Sequence, residues 1–215
     1  MLNFEQREYI KVYFGSPTIR AHIDSVHAHP PDNDKFTGEI AEGIAEKVNC
    51  SCIIATISRN VCDLNRERSE KNAGGIDEYR IAIQQIQRHI NNLNSYEKAV
   101  KPYLHLAIHG MKDNHGWDIA IGTLHNQTCS AIIKEWFMLR IQTLYDRVTI
   151  DTIFPGNSSK IRHREGNHSL RSIYPGFGSK FNTFQIEISR TIREFQRDNL
   201  ISNLGNIIKD FNSSF

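Results

Sequence analysis

Uninterrupted apolar runs alternate with amphipathic helical patterns along this chain of 215 residues, and this alternation limits the possible folds more than any other feature. Residues 52–57 (Cys-Ile-Ile-Ala-Thr-Ile) and 103–108 (Tyr-Leu-His-Leu-Ala-Ile) are typical of strands covered on both faces. Residues 40–48 repeat apolar side chains at spacings of three and four, which predicts an amphipathic helix capped by Thr37. The alternation predicts an α/β fold, with three layers around a mixed, largely parallel sheet.

Weaker patterns complete the predicted domain. Residues 1–17 form a lead-in with a short strand, and residues 155–180 form a loop rich in glycine and basic side chains. We expect a single α/β metallohydrolase domain over residues 1–215. The remaining predicted elements are strands at 18–26, 117–122 and 183–189, a helix at 77–93 capped by Asp77, a helix capped by Thr128, and one or two helices up to Asn212.

Composition excludes several classes of function. A net charge of +2 is too small to indicate nucleic-acid binding. No apolar run approaches the roughly 18 residues that span a bilayer, and the start of the chain lacks the apolar segment of a signal peptide. We therefore expect a cytoplasmic protein without a membrane partner. Its four cysteines do not form a disulfide framework, so we predict that they are reduced and lie in the core.

The segment 25–34 (Ser-Val-His-Ala-His-Pro-Pro-Asp-Asn-Asp) places two histidines and two aspartates directly after a predicted strand. His27 and His29 are two residues apart and point to the same side of an extended backbone. Imidazoles and carboxylates at the carboxyl edge of an α/β sheet are a common way to build a metal site. The alternative is a polar loop whose histidines only form hydrogen bonds.

Other polar residues follow the later strands and are expected at the same edge. A catalytic zinc takes three protein ligands and leaves a position for water, and His29, Asp34 and His109 would supply such a set. Glu187 would accept the proton of the attacking water, although its place on a strand also fits an exposed outer face. The arginines of the second loop, Arg59 and Arg66, would bind an acid group of the substrate, or Arg66 is a solvated cation. Arg162 is a further substrate-binding candidate, or part of a charged surface.

Five short blocks resemble known hydrolases. Residues 63–66 (Asp-Leu-Asn-Arg) resemble a motif of the aspartoacylase and succinylglutamate desuccinylase enzymes, and, together with Ser58 and Arg59, a stretch of the N-formylglutamate amidohydrolases. Residues 108–111, 118–123 and 184–190 resemble later blocks of the amidohydrolases, in the same order. Residues 27–34 are similar to the His-x-His-Gly-Gly-x-x-Glu stretch of the phage poly-γ-glutamate hydrolases. These groups share the zinc-carboxypeptidase-like (phosphorylase/hydrolase-like) fold, and the resemblance covers roughly residues 18–195.

Carried over by position, the resemblance implies Zn²⁺ as cofactor. It assigns metal ligation to His29, Asp34 and His109, carboxylate binding to Asn65 and Arg66, and the general base to Glu187. The chain departs from the pattern at Pro30 and Pro31, which replace the glycine pair, and at Asp34, which replaces glutamate. The shorter reach of aspartate leaves Asp32 as an alternative ligand, and His27 as an alternative to His29.

The combined patterns predict a zinc-dependent hydrolase that cleaves an amide bond next to a carboxylate. Its substrate would be a small acidic amide or peptide, such as N-formylglutamate or another N-acyl amino acid, or a γ-glutamyl peptide. One alternative is a metallo-carboxypeptidase that acts on longer peptides. The other is a catalytically silent relative that binds metal or a small acid.

Overall fold

The computed structural model describes residues 2–157, 163–166 and 173–215. Within these ranges the strands are β1 (Glu5–Gln6), β2 (Ile10–Tyr13), β3 (Ala21–Ser25), β4 (Ser51–Ala55), β5 (Tyr103–Gly110), β6 (Ile119–Gly122), β7 (Val148–Ile150) and β8 (Phe181–Ile188). The α-helices are α1 (Thr37–Val48), α2 (Ala73–His89), α3 (Ala131–Leu144), α4 (Arg190–Phe195) and α5 (Arg197–Ser214).

The strands of the described residues form one mixed sheet in the order β1-β2-β4-β3-β5-β8-β6-β7. The four adjacent strands β4, β3, β5 and β8 run parallel to one another. Their carboxyl ends therefore lie at one edge, where the sequence predicted the site. Antiparallel pairings add β2 beyond β4 and β6 beyond β8. The predicted α/β class with a largely parallel central sheet is confirmed.

Helices cover both faces of the sheet. On one face, α1, α3 and α5 enclose a core that includes Leu104, Leu106 and Ile108 of β5. On the other face, α2 packs over a core that includes Tyr103 and Phe181. Because side chains alternate along a strand, every second residue of β5 and β8 after Tyr103 and Phe181 also faces the α2 side.

Three predicted helix caps are wrong. Thr37 is the first residue of α1 rather than its cap, and the N-cap position is Phe36, whose side chain forms no capping hydrogen bond. The helix expected from Asp77 begins at Ala73, and α3 is capped by Ser130, which accepts from the Ile133 N–H, rather than by Thr128. Gly74 and Gly75 resemble a loop in sequence, but a Cβ at Gly75 would clash with the Cys62 sulfur, so close packing requires glycine within the first turn.

All four cysteines are free and buried, as predicted. Burial raises the pKa of the Cys50 thiol to about 12, which keeps it protonated. None of the described helices is long and apolar enough to cross a membrane.

Candidate metal centre and active site

The loop after β3 folds back on itself and brings its last carboxylate to its first histidine. The Asp34 N–H donates to the His27 carbonyl over 2.8 Å, and the Thr37 hydroxyl donates to the Asp34 carbonyl over 2.6 Å. His29 lies at the exposed tip of this loop, where its Nδ1 is 2.6 Å from the Pro30 carbonyl oxygen. The structure therefore places His27 beside Asp34 and leaves His29 outside the group.

His27, Asp34 and His109 form a compact cluster of possible metal ligands. Asp34 Oδ2 lies 3.5 Å from His27 Nδ1 and 3.4 Å from His109 Nδ1. Both histidines are buried, and the Gly110 N–H donates to the same Asp34 oxygen over 3.1 Å. Three donor atoms from the ends of β3 and β5 thus converge on one point.

These residues fit a zinc ion. Ligand atoms about 2.0–2.1 Å from a tetrahedral zinc lie about 3.3 Å from each other, close to both distances from Asp34. His27 Nδ1 is buried and makes no hydrogen bond within the described part of the chain, which is costly unless the atom has another partner. Two imidazoles and one carboxylate are also a donor set of catalytic zinc sites.

Asp63 orients His27. His27 Nε2 lies 2.9 Å from Asp63 Oδ1, and the same oxygen accepts the Asn65 N–H over 2.8 Å. The contact with the Asp63 carboxylate favours a proton on Nε2 of His27, which leaves the lone pair of Nδ1 to point into the cluster of His27, Asp34 and His109. The sequence reasoning gave Asp63 no role of its own.

Glu187 lies directly across from His109 in the parallel pairing of β5 and β8. It is buried on the α2 side of the sheet and accepts a hydrogen bond of 2.9 Å from the Gln185 amide. Burial, and next the negative charge of Asp34, raise its pKa to about 7. The alternative of an exposed outer face is therefore wrong, and a carboxyl group able to exchange a proton near neutral pH stands beside the cluster.

The candidate substrate-binding residues differ in position. Arg59 Nη1 is 3.9 Å from Asp34 Oδ1, and Arg59 Nε is buried without a hydrogen-bond partner among the described residues. Asn65 is buried, whereas the side chain of Arg66 is 69% exposed and lies 3.5 Å from Asp63 Oδ2. Arg162 lies outside the described residues.

A second group of possible ligands, His22, Asp24 and His105, is fully buried on the α2 side of the sheet. Asp24 Oδ2 already receives the Tyr79 hydroxyl at 2.5 Å and lies 2.7 Å from His105 Nε2. The rings of His22 and His105 are stacked with centroids 4.0 Å apart and planes within 8°. Because a metal lies near the plane of each imidazole that binds it, parallel stacked rings cannot share one ion. This group is a packed polar network.

Sequence comparisons identify no relative of this chain. No family model matches it, and no curated protein sequence matches it.

Structural comparison gives a different result. The crystal structure of N-formylglutamate amidohydrolase from Ralstonia eutropha JMP134 matches with a TM-score of 0.66 at 14% identity, covering 96% of this chain and 97% of that one. Bacteriophage poly-γ-glutamate hydrolase matches with a TM-score of 0.52 at 12% identity, covering 96% and 89%. This chain has the fold of these hydrolases. The gene product Atu2144 from Agrobacterium tumefaciens also shares this fold, with a TM-score of 0.61 at 14% identity over 97% of this chain and 96% of that one. The resemblance predicted from short motifs is thus confirmed at the level of the fold.

Proposed function

We propose that this protein is a zinc-dependent amidohydrolase that cleaves an amide bond next to a carboxylate. The observation that carries the proposal is the convergence of His27, Asp34 and His109 beside the buried carboxyl group of Glu187. An N-formylglutamate amidohydrolase and a poly-γ-glutamate hydrolase have the same fold, which supports the amide class of substrate.

In this proposal His27 takes the ligand role that the sequence motif gave to His29, and Asp34 and His109 complete the set. A zinc ion held there would polarise the substrate carbonyl and lower the pKa of a water molecule. Glu187 accepts a proton from the attacking water and passes it to the leaving amine, which suits a carboxyl group with a pKa of about 7.

Two arginines then have separate tasks. Arg59, beside Asp34, stabilises the negative charge that develops on the carbonyl oxygen. Arg66, at the exposed rim and joined to Asp63, pairs with the substrate carboxylate together with Asn65, because a planar guanidinium binds a carboxylate through two parallel hydrogen bonds. N-Formylglutamate, other N-acyl amino acids and γ-glutamyl peptides all carry both an amide bond and a carboxylate.

The test combines metal analysis with hydrolysis assays. The purified protein should contain a single zinc ion per chain, lose activity toward N-formylglutamate or a γ-glutamyl dipeptide on chelation, and regain it with zinc. The Glu187→Gln variant should keep its fold and zinc while kcat falls about 10²- to 10⁴-fold, because the amide cannot accept the proton. A zinc-loaded wild-type protein that hydrolyses neither substrate would favour a catalytically silent binding protein.

A further inference from the structure

Arg193, in the short helix α4, contacts three main-chain carbonyl groups from three parts of the chain. Its Nε donates to the Ile188 carbonyl over 3.0 Å, and its Nη2 donates to the Met111 carbonyl over 3.2 Å. Its Nη1 donates to the Lys35 carbonyl. One guanidinium group therefore joins the loop after β3 to the carboxyl ends of β5 and β8.

Each of these segments also carries one residue of the proposed active site. The pairs of carbonyl and site residue are Lys35 with Asp34, Met111 with His109, and Ile188 with Glu187. Each carbonyl is one or two residues from its site residue, so little backbone freedom remains between them. Arg193 thus links the backbone next to two proposed ligands and the proposed base.

The absence of a side chain at Gly110 leaves room for the Arg193 guanidinium. A Cβ at this position would lie 2.5 Å from Arg193 Cζ, so any larger residue would displace the guanidinium. The Gly110 N–H also donates to Asp34 Oδ2 over 3.1 Å. The close approach of Arg193 to β5 and the contact between β5 and Asp34 therefore occur at the same residue.

Burying a charged arginine at position 193 costs free energy, and the need to fill space does not require that residue. Arg193 is buried, and transferring a charged group from water is unfavourable unless its donors are satisfied. Guanidinium offers five N–H donors in a rigid, planar arrangement, whereas lysine offers a single ammonium group. An apolar side chain would fill the space at lower cost but would not hold three carbonyl groups.

We propose that Arg193 is a positioning residue of the active site, which fixes Asp34, His109 and Glu187 relative to one another through the carbonyl groups beside them. The inference rests on the proposed metal-dependent function. It predicts that the geometry of Arg193, rather than its charge alone, sets the affinity of the site for metal.

The test measures zinc affinity by competition with a chromophoric chelator, and the visible spectrum of the protein loaded with Co²⁺. Arg193→Met and Arg193→Lys are compared with Arg20→Met. Arg20 is the matched control because it also donates to two carbonyls, those of Pro102 and Asn212, but at the opposite edge of the sheet. We expect both Arg193 variants to bind zinc roughly 10- to 100-fold more weakly with an altered Co²⁺ spectrum, and Arg20→Met to keep both properties at a lower Tm.

Gly110→Ala provides a second route if Arg193→Met fails to fold, and it should weaken zinc binding in the same way. Full rescue by Arg193→Lys would overturn the inference, as would equal weakening by Arg20→Met. If the wild type binds zinc and folded Arg193 variants bind it equally well, this inference fails while the proposed function stands. If the wild type binds no zinc, both fail.

Discussion

His27 Nε2 lies 2.9 Å from Asp63 Oδ1, so a carboxylate from the loop after β4 orients an imidazole from the loop after β3. The contact determines which nitrogen of His27 faces Asp34. It also gives the first residue of the Asp-Leu-Asn-Arg segment a task distinct from substrate binding. This hydrogen bond therefore couples the two neighbouring strand ends.

Asp63→Asn should weaken zinc binding. A neutral amide is a poorer acceptor and does not enforce the Nε2–H form of His27, and loss of such a partner commonly lowers metal affinity about 10- to 100-fold. Competition with a chelator gives the affinity. Asp77→Asn is the control, because Asp77 pairs with Arg68 at the surface. Unchanged affinity in Asp63→Asn would mean that His27 is held by its other neighbours.

The choice between His27 and His29 can be tested by paired substitutions. His27→Ala should lose most of its zinc, since removing one of three ligands takes away much of the binding free energy. His29→Ala should retain the metal, because His29 is exposed at the loop tip and contacts Pro30. Metal content after dialysis separates the two. The opposite pattern would place His29 at the metal after a change in the loop.

The fold was largely predictable because the strands bear a direct signature. A strand covered on both faces is mostly apolar along its whole length, and the sequences of β4 and β5 are mostly apolar. The start of α2 was not predictable, since Gly74 and Gly75 are required by contacts with Tyr9 and Cys62, which lie far away in sequence. Edge strand β7 has only three residues and leaves too short a pattern to detect.

The site was predictable in outline and not in detail. Parallel strands bring their carboxyl ends to one edge, so proximity of Asp34, His109 and Glu187 follows from topology. Spacing alone could not choose His27, because both histidines of the loop share one face of an extended chain. The Asp34–His27 main-chain hydrogen bond makes that choice. Arg193 gives no signal in sequence, because its partners are backbone carbonyls.

Stability of the metal-free protein should depend on pH through Glu187. Its pKa is about 7 in the folded protein, against 4.5 as the ordinary value, so between these values the folded state binds more protons than the unfolded state. The free energy of unfolding should therefore fall as the pH rises through this window, by about 3 kcal/mol in total. Urea unfolding at several pH values measures the slope.

Glu187→Gln should reduce that slope, because the amide does not titrate. Glu135→Gln, on the exposed side of α3, controls for loss of a surface carboxylate. Identical slopes in the wild type and Glu187→Gln would show that Glu187 is already solvated and ionised.

The two arginines should affect different kinetic parameters. Arg66 is exposed at the rim beside Asp63, where a substrate carboxylate can reach its guanidinium, and hydrogen bonds to charged groups contribute about 1.5–3 kcal/mol. Arg66→Ala should therefore raise KM roughly 10- to 100-fold for an N-acyl amino acid with a free carboxylate and leave its amidated analogue nearly unaffected. Arg66→Lys should not restore the preference, because an ammonium cannot reproduce paired hydrogen bonds.

Arg59→Ala should instead lower kcat for both substrates, since Arg59 lies beside Asp34. Zinc content must match the wild type in every variant. If Arg59→Ala alone removes the preference for the free acid, Arg59 binds the substrate carboxylate and Arg66 has no part in it.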